Sequence, residues 1–262
     1  MITLDWTVLS DGWTEAPAGA VLHGESWREK VRFHALAFLV RHPVAGPVLV
    51  DTGYSSRFFS ETTHFPNRLY RMITPVTLTD PEGIAGQLRR HGVRPEEIRH
   101  VVITHFHADH IGGLKDFANA VFHCSAAAWN SVNGVKGLAA VRRALLPGLL
   151  PFDIAERLHF IGEGTDLFED GAVTVLDLPG HAAGQIGLRF TAPDGTPILL
   201  ASDACWHSDA YRQNRMPHPV TRLLNDWAPY RATLQQLHEM HRKEPDLLIL
   251  PTHCPETAEW LR

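Results

Sequence analysis

The stretch "HVVITHFHADHIGG", residues 100–113, runs a short apolar segment into His105, His107, Asp109 and His110, three imidazoles and a carboxylate within six residues. In extended backbone, side chains two residues apart project to the same side, so His105 and His107 can converge on one ion. A turn after them would swing Asp109 and His110 toward a second. Gly112 and Gly113 permit tight backbone there, and "IGGLKDF" is expected to open a helix immediately afterwards. The run alone does not complete two coordination shells, because each zinc takes about four ligands and a catalytic zinc keeps one position open.

Further donors stand at the ends of other predicted strands: His181 in "DLPGHAAG", Asp203 in "LLASDA" and His253 in "LILPTHC". Any one of them alone reads as a structural or surface group. The ordered set is the signal, since ligands delivered by several strand ends to one sheet edge make a rigid site.

Between these landmarks, strand-like and helix-like periods alternate. "RFHALAFLVRH" (32–42) and "GPVLVDTG" (46–53) suggest a hairpin. "DPEGIAGQLRRHG" (80–92) reads as a helix with Asp80 at the N-cap, Pro81 in the first turn and Gly92 past the end. "LHFI" (158–161), "AVTVLDLPGH" (172–181), "GQIGLRF" (184–190) and "PILLASDA" (197–204) are strands, with a turn at "APDGT" (192–196). The segment 226–243 puts Trp227, Tyr230, Leu234, Leu237 and His241 on one helical stripe, and "DLLILPTHC" (246–254) is a last strand. The segment 135–158 reads as helical and Pro-punctuated. Strands clustered in two halves with helices between them fit an α/β class of αββα type, two mixed sheets packed face to face under outer helices, in a single domain over 1–262.

Composition narrows the function classes. A chain of 262 residues with 44% hydrophobic residues builds a sizeable core, and a net charge of -5 gives no global reason to expect nucleic acid. No apolar run is long enough to span a bilayer, and "MITLDWTVLSDG" does not resemble a signal peptide. Cys124, Cys205 and Cys254 are odd in number and far apart, which argues against a disulfide framework. The expectation is a cytoplasmic enzyme with a small-molecule substrate, without nucleic-acid or membrane partners, and with its oligomeric state open.

From "VLVDTG" through "THFHADHIGG", "LPGHAAGQIGL" and "LLASDA" to "LPTHC", the sequence resembles the metallo-β-lactamase-fold hydrolases. That resemblance implies one metal held by His105, His107 and His181, another by Asp109, His110 and His253, and Asp203 as the bridge. Asp51, in the "DTG" turn, matches the family's acid behind the ligands, a carboxylate that orients a ligand imidazole. Two zinc ions per chain are expected, with iron or manganese as the alternatives. Zinc coordination lowers the pKa of water to about 7, which supplies a hydroxide nucleophile. Asp109 then orients it or passes its proton to the leaving group.

Motif spacing is most similar to that of N-acyl-homoserine lactone lactonases, so the expected substrate is a lactone or related small ester. The chain departs from those enzymes where they commonly carry a tyrosine three residues after the bridging acid: here stands Trp206. Tyr54, His207 or Tyr211 would substitute for that tyrosine, and Phe58 and Phe59 in the 54–73 loop would accept an acyl chain or pack the loop. Arg57, Arg68 and Arg71 keep a phosphodiester in view. A thioesterase, an iron-dependent sulfur dioxygenase and a non-catalytic metal sensor are the other readings.

Overall fold

The computed structural model describes residues 2–78 and 80–261. Among the described residues, ten strands form two mixed sheets. The first has the order β1 (Asp5–Pro17), β2 (Lys30–His42), β3 (Gly46–Val50), β4 (His100–Val102), β5 (Val121–Cys124) and β6 (Leu158–Phe160). Its first three strands are antiparallel, and β3 to β6 run parallel. The second sheet takes β7 (Thr174–Asp177), β8 (Ile186–Thr191), β9 (Pro197–Ser202) and β10 (Leu248–Pro251), ordered β10-β9-β8-β7.

Strand β2 explains the layering. Leu36, Phe38 and Val40 face the second sheet, where they meet Val175, Ile186, Leu188 and Leu200 in the central core. Alternate residues Ala35, Ala37 and Leu39 face the opposite way, onto Phe58, Ile84 and Leu88 of the helical layer. With both faces covered, the strand reads as a near-continuous apolar run. On the far side of the second sheet, Leu199, Ala201 and Ile249 pack against Leu234 and Leu237 of the helix Trp227–Lys243. The order of layers is helix, sheet, sheet, helix, the metallo-β-lactamase fold.

Several boundaries differ from the sequence expectation. The helix expected from Asp80 runs Gly83–Arg90, because Asp80 Oδ1 accepts the backbone N–H of Glu82 at 3.0 Å in a turn and Gly83 takes a φ of +63°. The helix expected after Gly113 lies before it, over Ala108–Ile111, and only one 3-10 turn, Leu114–Asp116, follows. The 135–158 segment contains a four-residue helix, Leu138–Val141, and 3-10 turns at Pro147–Leu149 and Ile154–Glu156. Its closely spaced Gly and Pro residues interrupt any longer hydrogen-bonded run. Among the described residues, no helix is long and apolar enough to cross a membrane.

Candidate metal centre

The C-terminal ends of strands from both sheets converge on one edge. Asp51 follows β3, His105 to His110 follow β4, His181 follows β7, Asp203 follows β9 and His253 follows β10. The loop after β4 turns into the helix Ala108–Ile111, which carries Asp109 and His110. Glycine is needed just beyond, because a Cβ on Gly112 would lie 2.6 Å from the Gly53 carbonyl oxygen. Thr52 closes the same contact: its N–H and hydroxyl both donate to the His110 carbonyl, each at 2.9 Å. The "DTG" turn is thus pressed under the histidine helix, and this places Asp51 beneath His110.

Three overlapping groups of possible ligands each place one atom per residue within 4.8 Å of one another: His105, His107 and His181; His105, His110 and Asp203; Asp109, His110 and His253. Asp203 joins the halves, with its Oδ2 3.2 Å from His181 Nε2 and 2.9 Å from His253 Nε2, and its Oδ1 3.4 Å from His110 Nε2. Asp109 Oδ2 lies 3.4 Å from His253 Nε2.

Outer partners hold the rings in place. His110 Nδ1 donates to Asp51 Oδ2 at 2.7 Å, His181 Nδ1 to Asn225 Oδ1 at 2.9 Å, and His253 Nδ1 to the His34 carbonyl at 2.8 Å. Each bond engages Nδ1 and turns that residue's Nε2 toward the centre, the orientation a ligand imidazole needs. His107 instead presents Nδ1, 2.9 Å from His181 Nε2.

The residues fit a pair of cations. His105 Nε2, His110 Nε2 and Asp203 Oδ1 are buried without a hydrogen-bond partner among the described residues, and a cation would satisfy all three. Burial and neighbouring imidazoles hold His105 and His107 well below the usual histidine range, and burial likewise lowers His181. Burial also opposes charge on Asp203, but His253, His110 and His181 outweigh it and keep the carboxyl well below the usual carboxylate range. Burial opposes charge on His110 and His253 as well, but the carboxylates of Asp51, Asp109 and Asp203 push His110 well above the usual histidine range, and Asp203 and Asp109 raise His253. Zinc binding there would release protons, while the three lowered imidazoles are already free to ligate.

The candidate substrate contacts are placed less uniformly. Trp206 is 7% exposed and stands edge-on to His181, with ring centroids 5.5 Å apart; its Nε1 has no partner among the described residues. Phe33, for which the sequence carries no motif, stacks on His253 at 4.8 Å and meets Trp206 at 5.7 Å. Together the two rings form a wall from one half of the centre to the other.

Tyr54 and Phe58 do not line an open wall. Both are buried in the core beneath the helical layer, where their rings meet edge-on with centroids 5.2 Å apart. Phe59 is partly buried beneath the Arg71 guanidinium, which lies 4.7 Å from its ring centroid. His207 caps the helix Ser208–Gln213 by accepting the Asp209 N–H on Nδ1 at 3.1 Å, and that nitrogen is therefore engaged. Tyr211 turns away into the core under the second sheet, where its hydroxyl donates to the Ile249 carbonyl at 3.3 Å. Arg57 is committed to Asp116, with its Nη1 3.0 Å from Oδ2.

The sandwich and its strand-end cluster of five histidines and two aspartates define the class of a metal-dependent hydrolase. The model of the metallo-beta-lactamase superfamily matches residues 31–251, and the chain belongs to that superfamily. A protein of Mycobacterium tuberculosis named as a probable metallo-hydrolase is 28% identical over 246 residues, covering 83% of this chain and 74% of that protein. The N-acyl homoserine lactonase AttM of Agrobacterium fabrum is 26% identical over 188 residues, covering 69% of this chain and 68% of its own. Among solved structures, a quorum-quenching N-acyl homoserine lactone lactonase superposes with a TM-score of 0.74 at 19% identity, over 100% of this chain and 97% of that one. The dizinc quorum-quenching lactonase AidC, in complex with a product, gives 0.69 at 15% identity, over 96% and 88%. At these identities the structural likeness concerns the fold.

Proposed function

We propose that this chain opens small lactones or closely related carboxylic esters with two divalent metal ions, zinc by the imidazole-rich character of the donor set. His105, His107 and His181 would hold one ion, Asp109, His110 and His253 the other, with Asp203 shared. Bound there, the ions supply a hydroxide nucleophile near neutral pH and polarise the substrate carbonyl. The observation that carries the reading is Asp203, whose carboxylate lies within 3.4 Å of His110, His181 and His253 and so contacts imidazoles of both halves.

The chain's own residues perform the rest. Asp109 sits at the rim of the buried cluster, 9% exposed, where its carboxylate orients the attacking water, accepts a proton and returns it to the leaving alkoxide. Phe33 and Trp206 exclude water from one side, which strengthens every charge interaction at the reacting carbonyl. Two of the guanidiniums that would favour a phosphodiester are engaged elsewhere, Arg57 by Asp116 and Arg71 over Phe59. The lactonases among the relatives support the ester reading.

The test is turnover by purified, zinc-replete protein on an N-acyl homoserine lactone, a simple γ-lactone, a thioester, a phosphodiester and a β-lactam. Lactone opening is expected to dominate. Preference for the phosphodiester or thioester would replace the proposed substrate class, and absence of hydrolysis on all five would overturn the hydrolytic reading.

A further inference from the structure

Beneath the two halves of the centre lie two hydroxyls outside the set of seven possible ligands, Thr104 and Ser202. We propose that they are positioning residues, a relay through which the Asp51 carboxylate fixes the tautomer of His105 as well as that of His110, so that one buried acid orients ligands in both halves. This rests on the metal-centre reading above.

The geometry leaves one consistent pattern of donors. Thr104 Oγ1 lies 2.7 Å from Asp51 Oδ2, 2.7 Å from Ser202 Oγ and 3.2 Å from His105 Nδ1; Ser202 Oγ is 3.5 Å from the same nitrogen. An ionised carboxylate only accepts, so the Thr104 hydroxyl donates to Asp51, beside the Thr104 N–H that donates to Asp51 Oδ1 at 2.9 Å. With its one proton spent, Thr104 Oγ1 accepts from Ser202. The Ser202 proton is spent in turn, and both oxygens face His105 Nδ1 as acceptors. That nitrogen therefore carries the hydrogen, and His105 Nε2 is left as a lone pair facing the centre. The opposite tautomer would either set the Nδ1 lone pair against two acceptor oxygens or turn the Ser202 proton to Nδ1 and leave two oxygens 2.7 Å apart without a proton between them.

Backbone conformation supports the relay independently. Asp51 and Ser202 both sit in the left-handed region, with φ of +57° and +50°. Such non-glycine residues are uncommon, so they persist where the surroundings hold them. Ser202 lies where the pairing of β9 with β10 shifts register, and its carbonyl is tied by the Thr252 N–H at 3.0 Å. The strain turns two strand-end side chains toward the same threonine.

The experiment is a zinc titration of metal-free protein followed by chelator competition and by the imidazole nitrogen resonances of His105 and His110. Thr104→Val and Ser202→Ala should weaken zinc at the His105 side by about tenfold to a hundredfold, as changes behind ligands do. Zinc at the His110 side should change less than about threefold on the same ground, because its bond to Asp51 is direct. Asp51→Asn should weaken both, and Thr104→Ser, which restores the hydroxyl, should weaken neither. The His105 Nδ1–H signal in the metal-free protein should be lost in Thr104→Val and kept in Thr104→Ser. Wild-type affinities together with a retained His105 signal in both hydroxyl-deleted variants would overturn the relay. Were wild type to take up no zinc, the metal reading would fall, and the tautomer signal would still decide the relay. Ser202→Ala leaves the Thr104–Asp51 contact in place and provides the test should Thr104→Val not fold.

Discussion

His107 Nδ1 and His181 Nε2 lie 2.9 Å apart at the heart of the centre, while His181 Nδ1 is held by Asn225. The Asn225 bond places the His181 proton on Nδ1, so two ring nitrogens converge where a cation belongs. Metal-replete protein is expected to contain about two zinc per chain on this donor chemistry. Removal of zinc by chelation should lower the thermal midpoint, since a ligand that binds only the native state stabilises it. Elemental analysis that returned a single iron per chain would refute the two-zinc centre.

Asp203 offers the negative charge shared by both halves. Asp203→Asn keeps the shape and removes that charge, so occupancy by the second metal and turnover should both fall steeply while the far-UV spectrum is retained. Full metal content at a near-wild-type rate would show that Asp203 is not the bridge.

Trp206 is expected to act mainly as an apolar wall, with Phe33 beside it. Trp206→Phe keeps most of that wall and removes one N–H, so the rate on a lactone or aryl ester should fall only a few-fold. Loss of a true oxyanion donor costs on the order of a hundredfold or more. A drop of that size at unchanged metal content would mean that the unpartnered indole N–H contacts the substrate.

Tyr211 makes the opposite case. Its hydroxyl is engaged with the Ile249 carbonyl beneath the second sheet, so Tyr211→Phe should leave KM and kcat within about twofold and cost about 1 kcal/mol of stability in a denaturant titration. A selective rise in KM would place the tyrosine at the substrate after all.

A second histidine cluster predicts an acid limit. His123 lies 3.0 Å from His100 and 3.2 Å from His159, and burial, then those two neighbours, pull it down to about 3. The unfolded chain takes up its proton near pH 6.5, so the contribution of His123 is complete above that pH and is lost as the pH falls toward 3, by up to about 1.4 kcal/mol per unit. His123→Gln should flatten this limb of the urea-midpoint profile between pH 6.5 and 4. An unchanged slope would show that other groups set the acid limit.

The amino-acid sequence by itself determined the alternation of strands and helices, the hairpin of β2 and β3, and the residues that stand at the strand ends, because these are local: period, turn chemistry and motif spacing are written within a few residues. The strands of the two sheets could be assigned only once folded. "LHFI" follows the long middle segment yet pairs with β5 in the first sheet, a choice made by long-range backbone pairing. Which side chains behind the ligands matter was likewise illegible. Asn225 and Phe33 carry no signal of spacing and reach the centre because distant segments are packed against it, whereas Thr104 and Ser202 each directly precede a proposed ligand and only the fold brings their hydroxyls together beneath His105. Tyr54, Phe58 and Tyr211 each lie near a motif in sequence, and their burial in the cores is decided by packing. Residue identity set what chemistry was available, and burial with hydrogen-bond direction decided which atoms are free to use it.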